Sequence, residues 1–342
     1  MPGLSRFPIV MSIHRALVSL IQRSGRSGGR FFGLYRRVWL VLGRYQQART
    51  RFGAVVECDL RDLVPSYIFH FGHWEPNISY WMARRLCPGD LFVDIGANVG
   101  YYSLLASSVV GESGGVVAIE ASPSIYMKLK RSIEANQCKN VRVVNVAVSN
   151  RPGHVTIYSG PPENRSATST LQDWRGGKPE AKVVALPLDQ ILTEGELQRV
   201  RLIKIDVEGA EPAILRQIAE TIQRYPRGIE ILVECTLKDN SQEWDVIFAV
   251  LFSAGFSAYA IENEYSTAWY LRWRFPSDLQ PLSSLPSGQT DVLFTRDEHC
   301  RTTGLVEVDV AVDPSELPAM PHVKIEQAWR FGIGKIRELI GQ

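Results

Sequence analysis

The chain has 342 residues, of which 45% are hydrophobic, 22% charged and 10% aromatic, enough apolar material for one or two packed domains and too much for wholesale disorder. Five cysteines (Cys58, Cys87, Cys138, Cys235, Cys300) lie far apart with no CxxC pair, which excludes a zinc ribbon or a disulfide-built scaffold and points to a reducing compartment. The net charge of +2 hides an asymmetry, because residues 1–56 hold ten arginines and no acid, leaving an acidic body behind a basic arm.

In chain order, the arm carries apolar residues at loose helical spacing (Ile9, Ile13, Leu17, Leu20, Ile21), and the stretch from Ser24 to Gly29 breaks it into two basic helices or a helix and an arm. No apolar run approaches the roughly 20 residues of a membrane-spanning helix, so none is expected. Residues 52–89 are rich in aromatics and close on the turn Cys87-Pro88-Gly89-Asp90. From Leu91 to about 235, short apolar runs alternate with amphipathic stretches, the pattern of an α/β sheet. Five strands are expected, at Leu91–Ile95, Gly115–Glu120, Val141–Val148, Arg201–Asp206 and Gly228–Cys235. The last zone mixes strand-like segments with a closing amphipathic helix near Ile325–Ile340.

Three of these strands end in an acid (Asp94, Glu120, Asp206), and Glu234 stands one residue before the end of the fifth. Ligands of open parallel sheets bind at the carboxyl ends of strands, so the acids are expected to line one crevice. The stretch Asp94-Ile95-Gly96-Ala97-Asn98-Val99-Gly100 runs from strand through tight turn to helix, which brings a ligand close to the backbone and points helix-start N–H groups at an anionic group. A dinucleotide fingerprint would need glycines at 96, 98 and 101, but Asn98 and Tyr101 stand at two of these. The spacing that holds, an acid two residues before Gly96 and a glycine four after it, is that of S-adenosylmethionine enzymes. Glu120 is placed to accept both hydroxyls of a ribose.

Two long motifs, Val93 through Tyr102 and Ile203-Lys204-Ile205-Asp206-Val207-Glu208-Gly209-Ala210-Glu211, resemble those of the FkbM family of S-adenosylmethionine-dependent methyltransferases. Supporting pieces are Phe71-Gly72-His73-Trp74-Glu75-Pro76, Glu120-Ala121-Ser122-Pro123, Asn145 through Ser149, and Leu188 through Leu192, so the resemblance runs from about Phe69 to Glu234. It implies an α/β, Rossmann-like, seven-stranded class I methyltransferase fold, here with a basic helical N-terminal arm (1–56), a methyltransferase domain (57–300) and a C-terminal helical extension (301–342). It implies S-adenosyl-L-methionine as cofactor and O-methylation of a hydroxyl as the activity. Asp94, Gly96, Asn98 and Gly100 would wrap the methionine and ribose, Tyr101 would start the helix facing the cofactor carboxylate, Glu120 would hold the ribose diol, and Asn145 and Ala147 would lie beside the adenine. Val148-Ser149-Asn150 departs from the family wording, in which an acid often follows the third strand.

Methyl transfer needs the acceptor oxygen, methyl and sulfur in line, and an unactivated alcohol must also lose a proton. Lys204, Asp206 and Glu234 are the candidate catalytic residues. Asp206 orients the acceptor or takes its proton, Lys204 stabilises a developing alkoxide or pairs with Asp206, and Glu234 lines the acceptor side. The alternative is a Lys–Asp pair that only stabilises the strand end, with Glu208 and Glu211 capping the helix. His70-x-x-His73 with Glu75 has metal-like spacing, but a lid or core role is preferred and no metal is expected. Trp74, Tyr80 and Trp81 are expected to cover the cofactor. The acceptor is read as a small molecule or glycan, with an N-methyltransferase on a small amine, or a non-catalytic nucleotide-binding protein, as alternatives. The arm is either a solvated appendage or a weak contact with an anionic membrane surface, nucleic acid being less favoured, and the location is cytoplasmic or peripheral at a membrane.

Overall fold

The computed structural model describes residues 8–23, 28–42, 45–160, 168–170, 177–236, 241–273, 276–283 and 288–297. The expected closing helix, the extension 301–342, Cys300 and most of the segment 161–176 lie outside the described residues. The basic arm forms two helices, α1 (Pro8–Arg23) and α2 (Gly28–Leu42), on either side of the glycine-rich break. A hairpin of β1 (Tyr45–Arg49) and β2 (Val55–Asp59) follows, then α3 (Leu63–Phe71) and α4 (Pro76–Arg85). Among the described residues, no helix is long and apolar enough to cross a membrane.

The apolar spacing of the arm does not mark its buried face. His14 and Val18 of α1, with Phe32 and Trp39 of α2, are buried, whereas Ile13, Leu17 and Leu20 are exposed. The reason is an aromatic seat on α3. The ring of His14 lies 4.6 Å from that of Phe69 and takes the Phe69 carbonyl at 3.2 Å, while Trp39 meets Phe69 edge-on at 4.9 Å. Burial pushes the His14 imidazole down to about 4, so it packs as a neutral ring.

The main sheet begins with β3 (Leu91–Ile95), α5 (Tyr101–Val110), β4 (Gly115–Ile119), α6 (Pro123–Ala135) and β5 (Val141–Val144). A small second sheet holds β6 (Ala147–Val148), β7 (Gly153–Tyr158) and β8 (Pro179–Leu186), after which come two single turns of helix, α7 (Leu188–Ile191) and α8 (Glu194–Leu197). The chain returns through β9 (Val200–Ile205), α9 (Glu211–Glu220), β10 (Glu230–Cys235), α10 (Ser241–Ser253), β11 (Ser257–Ile261), α11 (Thr267–Arg272), β12 (Gln280–Leu282) and β13 (Thr290–Thr295). Strand order is β12-β11-β13-β10-β9-β3-β4-β5, with β5, β4, β3, β9 and β10 parallel and β13 inserted antiparallel between β10 and β11. Seven strands thus match the expected sheet, and the three-residue edge strand β12 adds an eighth.

Alternation along the central strands divides the interior in two. Phe92, Leu202 and Leu232 enter the core beneath α4 and α5, while Val93, Ile203 and Val233 enter the core beneath α9 and α10. All five residues of β3 are buried, as its unbroken apolar run requires of a strand covered on both faces. The order reverses between β3 and β9, since the chain leaves β3 toward β4 and β5 and later comes back to β9 and β10 on its other side. At such a switch point the loops after the two strands part, leaving a crevice at their carboxyl ends.

One expected strand is corrected. Val141–Val148 is not continuous, because β5 ends at Val144 and β6 pairs with β8 in the second sheet. Asn145 makes the break, its amide donating to the carbonyls of Glu120 and Ala121 at 2.8 and 3.0 Å, where a continuing strand would have used backbone bonds.

Candidate active site

The crevice after β3 is shaped by backbone. The N–H groups of Gly96 and Ala97 both donate to the Ile119 carbonyl at 3.0 Å, and the Asp206 N–H donates to the Ile95 carbonyl at 3.0 Å, so the ends of β4, β3 and β9 are tied together. Gly96 has φ +82°, and a Cβ there would stand 1.8 Å from the Asp206 carbonyl oxygen. No side chain fits at this position. Asn98 follows in the left-handed region (φ 52°), and its N–H donates to Glu120 Oε2 at 3.0 Å. Gly100, also left-handed, caps α5 with no side-chain bond of its own, and the buried Asp94 carboxylate meets Ser103 in the first turn of that helix.

Beside this turn lies a cavity of about 300 Å³. On one side it is bounded by Gly96–Val99, Ile119–Ala121, Val146–Val148 and Ile157; on the other by Trp74, Glu75, Lys204, Asp206, Glu234, Tyr265 and Gln289. Glu120 is buried, and its second oxygen accepts from the Ser122 N–H at 2.9 Å. Burial pushes its carboxyl up to about 7, against the lowering effect of the two amides.

On the opposite wall, Lys204 Nζ lies 2.6 Å from Asp206 Oδ2 and 4.7 Å from the centre of the Tyr102 ring. Burial by itself would strip the proton from Lys204, but the charges of Asp206, Glu75 and Asp94 outweigh it and raise the ammonium above its ordinary range. Glu75, in the left-handed region at the start of α4, accepts from the hydroxyls of Tyr102 at 2.5 Å and Tyr265 at 2.9 Å. Tyr265 also reaches Glu234 at 2.8 Å, and Gln289 donates to the same Glu234 oxygen at 2.5 Å. Burial raises both Glu75 and Glu234, and the nearby Asp206 charge adds to this. The wall therefore holds one cation, one partly exposed carboxylate, and two buried acids that favour keeping a proton.

Most residues singled out in the sequence meet here. Gly96, Asn98, Tyr101, Glu120, Ala147, Lys204, Asp206 and Glu234 line the cavity. Asp94 and Gly100 stand behind it: Asp94 accepts from Ser103 Oγ at 2.6 Å, fastening the start of α5, and burial lifts its carboxyl to about 6. A Cβ on Gly100 would meet Leu129 at 2.7 Å, so that glycine serves the packing of α5 on α6. Asn145 is the clamp described above and also lies outside the lining. Glu211 accepts from the N–H groups of Val207 and Gly209 at 3.2 and 2.8 Å, which fastens the loop before α9 and does not cap the helix itself. Trp74 covers the cavity, but Tyr80 and Trp81 line a separate depression with Arg84. His70 packs among Phe32, Tyr35 and His14, and His73 stacks on Tyr270 at 5.6 Å. Among the described residues no group of three or more His, Cys, Asp or Glu is arranged to hold a metal ion. The sequence offers the segments 60–80, 151–180 and 262–290 for the acceptor pocket but singles out none of Glu75, Tyr265 and Gln289 as a member of the site. Glu75 stands in the Phe71–Pro76 motif and near His70 and His73, and Tyr265 and Gln289 stand in irregular segments without any motif.

Comparison with known proteins agrees with this geometry. The family description "Methyltransferase FkbM domain" matches residues 94–258, which include the glycine turn, Glu120, Lys204, Asp206 and Glu234. Residues 94–258, just under half of the chain, are thus similar to the FkbM methyltransferase domain. Among curated relatives, it is 27% identical over 198 residues to Methyltransferase 1 of Beauveria bassiana, covering 52% of this chain and 76% of that protein. It is 26% identical over 188 residues to Methyltransferase sdnD of Sordaria araneosa, covering 43% and 71%. Similar solved structures include a precorrin-6y C5,15-methyltransferase from Geobacter metallireducens (TM-score 0.36, 12% identity, 64% of this chain and 87% of that one). Fibrillarin from Aeropyrum pernix, solved with S-adenosyl-L-methionine, has TM-score 0.35 at 11% identity, covering 74% and 94%. Glu75, Tyr265 and Gln289 reach the cavity from outside the matched segment.

Proposed function

We propose that this methyltransferase uses S-adenosyl-L-methionine to methylate a hydroxyl of a sugar, glycolipid or natural product. The observation that carries the reading is the Lys204–Asp206 pair held at the cavity directly beside the Gly96 turn. The residues fit the cofactor: Gly96 leaves a cradle that a Cβ would fill, and Asn98 Oδ1 is buried at the cavity without a hydrogen-bond partner. Glu120 would take the ribose hydroxyls, and the apolar slot of Ile119, Val146, Val148 and Ile157 the adenine. When bound, the cofactor supplies a sulfonium methyl group open to attack by a nucleophilic oxygen.

The chain's own residues do the rest. Asp206, the more exposed partner of the pair, accepts the acceptor's hydroxyl hydrogen and aims its oxygen. Lys204 stays protonated and stabilises negative charge that develops on that oxygen. Glu234 and Glu75, whose affinity for a proton is raised by burial, offer carboxyl oxygens to the hydroxyls of a polyhydroxylated acceptor. A small amine is the second reading, favoured by Glu75, Asp206, Glu208 and Glu234 around a single lysine at the cavity. The described cysteines are all free, which supports a reducing, cytoplasmic setting.

Titration calorimetry with S-adenosylmethionine and S-adenosylhomocysteine tests the cofactor half. Binding should be weakened at least about tenfold by Glu120→Ala, as expected from losing hydrogen bonds to a charged group. Folded wild-type protein that binds neither ligand would sink the proposal. A screen with labelled methyl donor then separates hydroxyl from amine acceptors, and Asp206→Asn should lower turnover while leaving cofactor affinity in place.

A further inference from the structure

Of the thirteen large apolar side chains exposed among the described residues, seven belong to α1 and α2. On α1 they are Ile13, Leu17 and Leu20, spaced i, i+4, i+7; all are at least 41% exposed. On α2 they are Phe31, Leu34, Val38 and Val41, spaced i, i+3, i+7, i+10, with Val41 reaching 87% exposure. These spacings make one apolar stripe on each helix. Rotation cannot turn the stripes inward, because the other side of each helix is already committed: His14, Val18, Phe32 and Trp39 are buried against the body.

Charge specifies what the face can meet. Neither helix contains an acid; Arg37 is exposed beside the α2 stripe, while Arg15 is exposed on another side of α1 and Arg36 is half-buried on the face of α2 that packs on the body. A face of aliphatic and phenyl groups on two helices whose charged residues are all arginines complements a surface that is apolar a few ångströms down and anionic at the rim. Protein interfaces ordinarily mix in hydrogen-bonding side chains of both kinds, which these stripes lack. At about 1.5 Å per residue the helices are some 24 Å long, too short to span a bilayer but suited to lie in its interface.

We propose that the outer face of the α1–α2 pair docks on an anionic lipid bilayer, with the apolar stripes entering the headgroup region and the arginines meeting lipid phosphates and carboxylates. The same helices pack on α3 and α11. Trp74, just after α3, and Tyr265, just before α11, line the cavity, so docking brings the acceptor wall close to the bilayer surface.

Cosedimentation of the full chain with phosphatidylcholine vesicles, with and without phosphatidylserine, tests this. Binding is expected only with phosphatidylserine and should fall as salt rises. Phe31→Ser with Leu34→Ser should weaken it at least about tenfold, from lost apolar burial, and Arg37→Gln about fivefold. All three positions are exposed, and an unchanged thermal midpoint confirms that the variants fold. No binding to phosphatidylserine vesicles at low salt, equal binding to neutral vesicles, or undiminished binding by the serine double variant would each overturn the proposal. If residues 301–342 or a second copy cover this face, vesicles are not bound and the serine variant alters the sedimentation coefficient, which also overturns it.

Discussion

On one wall of the cavity, the residues that shape it come from a single run of chain: Gly96–Val99, Ile119–Ala121 and Val146–Val148, each at the end of a strand and each followed by the next element in order. On the other wall, Glu75, Lys204, Asp206, Glu234, Tyr265 and Gln289 come from well-separated segments and meet only because β9, β10 and β13 lie side by side with α4 and the stretch before α11. The first wall is made by backbone shape, with Gly96 touching the Asp206 carbonyl. The second is a network of hydroxyls and carboxyls, in which Tyr265 bridges Glu75 and Glu234. A backbone-built wall tolerates almost no change in shape, whereas a side-chain network can lose a member and keep its frame.

The comparison breaks most sharply at Gly96. Gly96→Ala puts a methyl group where the Asp206 carbonyl stands and holds a left-handed φ, so it should cost about 3 kcal/mol or more of stability by chemical denaturation. Cofactor affinity should fall roughly a hundredfold, since both walls share that contact. Retained stability and binding would mean that the turn yields more readily than its contacts imply.

A smaller effect is expected from pH. Glu120 titrates near 7, and ribose hydroxyls donate to its ionised form, so cofactor binding is tightest above that value. Below it, binding must displace a proton, and affinity should fall by up to about tenfold per pH unit. Calorimetry across pH 6 to 8, in two buffers of different ionisation heat, reads both the slope and the proton release. Glu120→Gln should flatten the slope, and a wild-type profile already flat would remove Glu120 from the ribose site.

The smallest effect on the cofactor should come from the second wall. Tyr265→Phe removes hydrogen bonds to Glu75 and Glu234 and should lower stability by about 1–2 kcal/mol. Cofactor affinity should stay within about twofold, while methyl transfer slows once an acceptor is known. A large loss of cofactor binding instead would show that the two walls act as one unit.

The sheet was legible from residue pattern alone wherever neighbours in sequence make the structure. β3, β4, β9 and β10 are short apolar runs buried on both faces, and the turn from Asp94 to Gly100 announces itself because tight backbone approach demands glycine. The strand expected at Val141–Val148 was misread because Asn145, a side chain that ends the ladder by bonding to two carbonyls, leaves no mark on hydrophobic periodicity. The buried face of the arm is illegible in the sequence for a related reason. Ile13, Leu17 and Leu20 have the spacing of a buried stripe, but the aromatic seat formed by Phe69 and His70 binds the face of His14 and Val18 instead.

By itself, the amino-acid sequence determined the parallel sheet, the glycine turn and the acids at the strand ends, because each follows from local sterics or from a period of two along a strand. Only the tertiary structure decided which of those acids face the cavity. It set Asp94 behind the turn under Ser103, made Glu211 a loop cap, and brought Glu75, Tyr265 and Gln289 to Glu234 and Lys204. The physical reason is that a hydrogen-bond network among buried polar side chains depends on which segments pack together, and the energy that selects that packing is carried by the apolar cores on either face of the sheet.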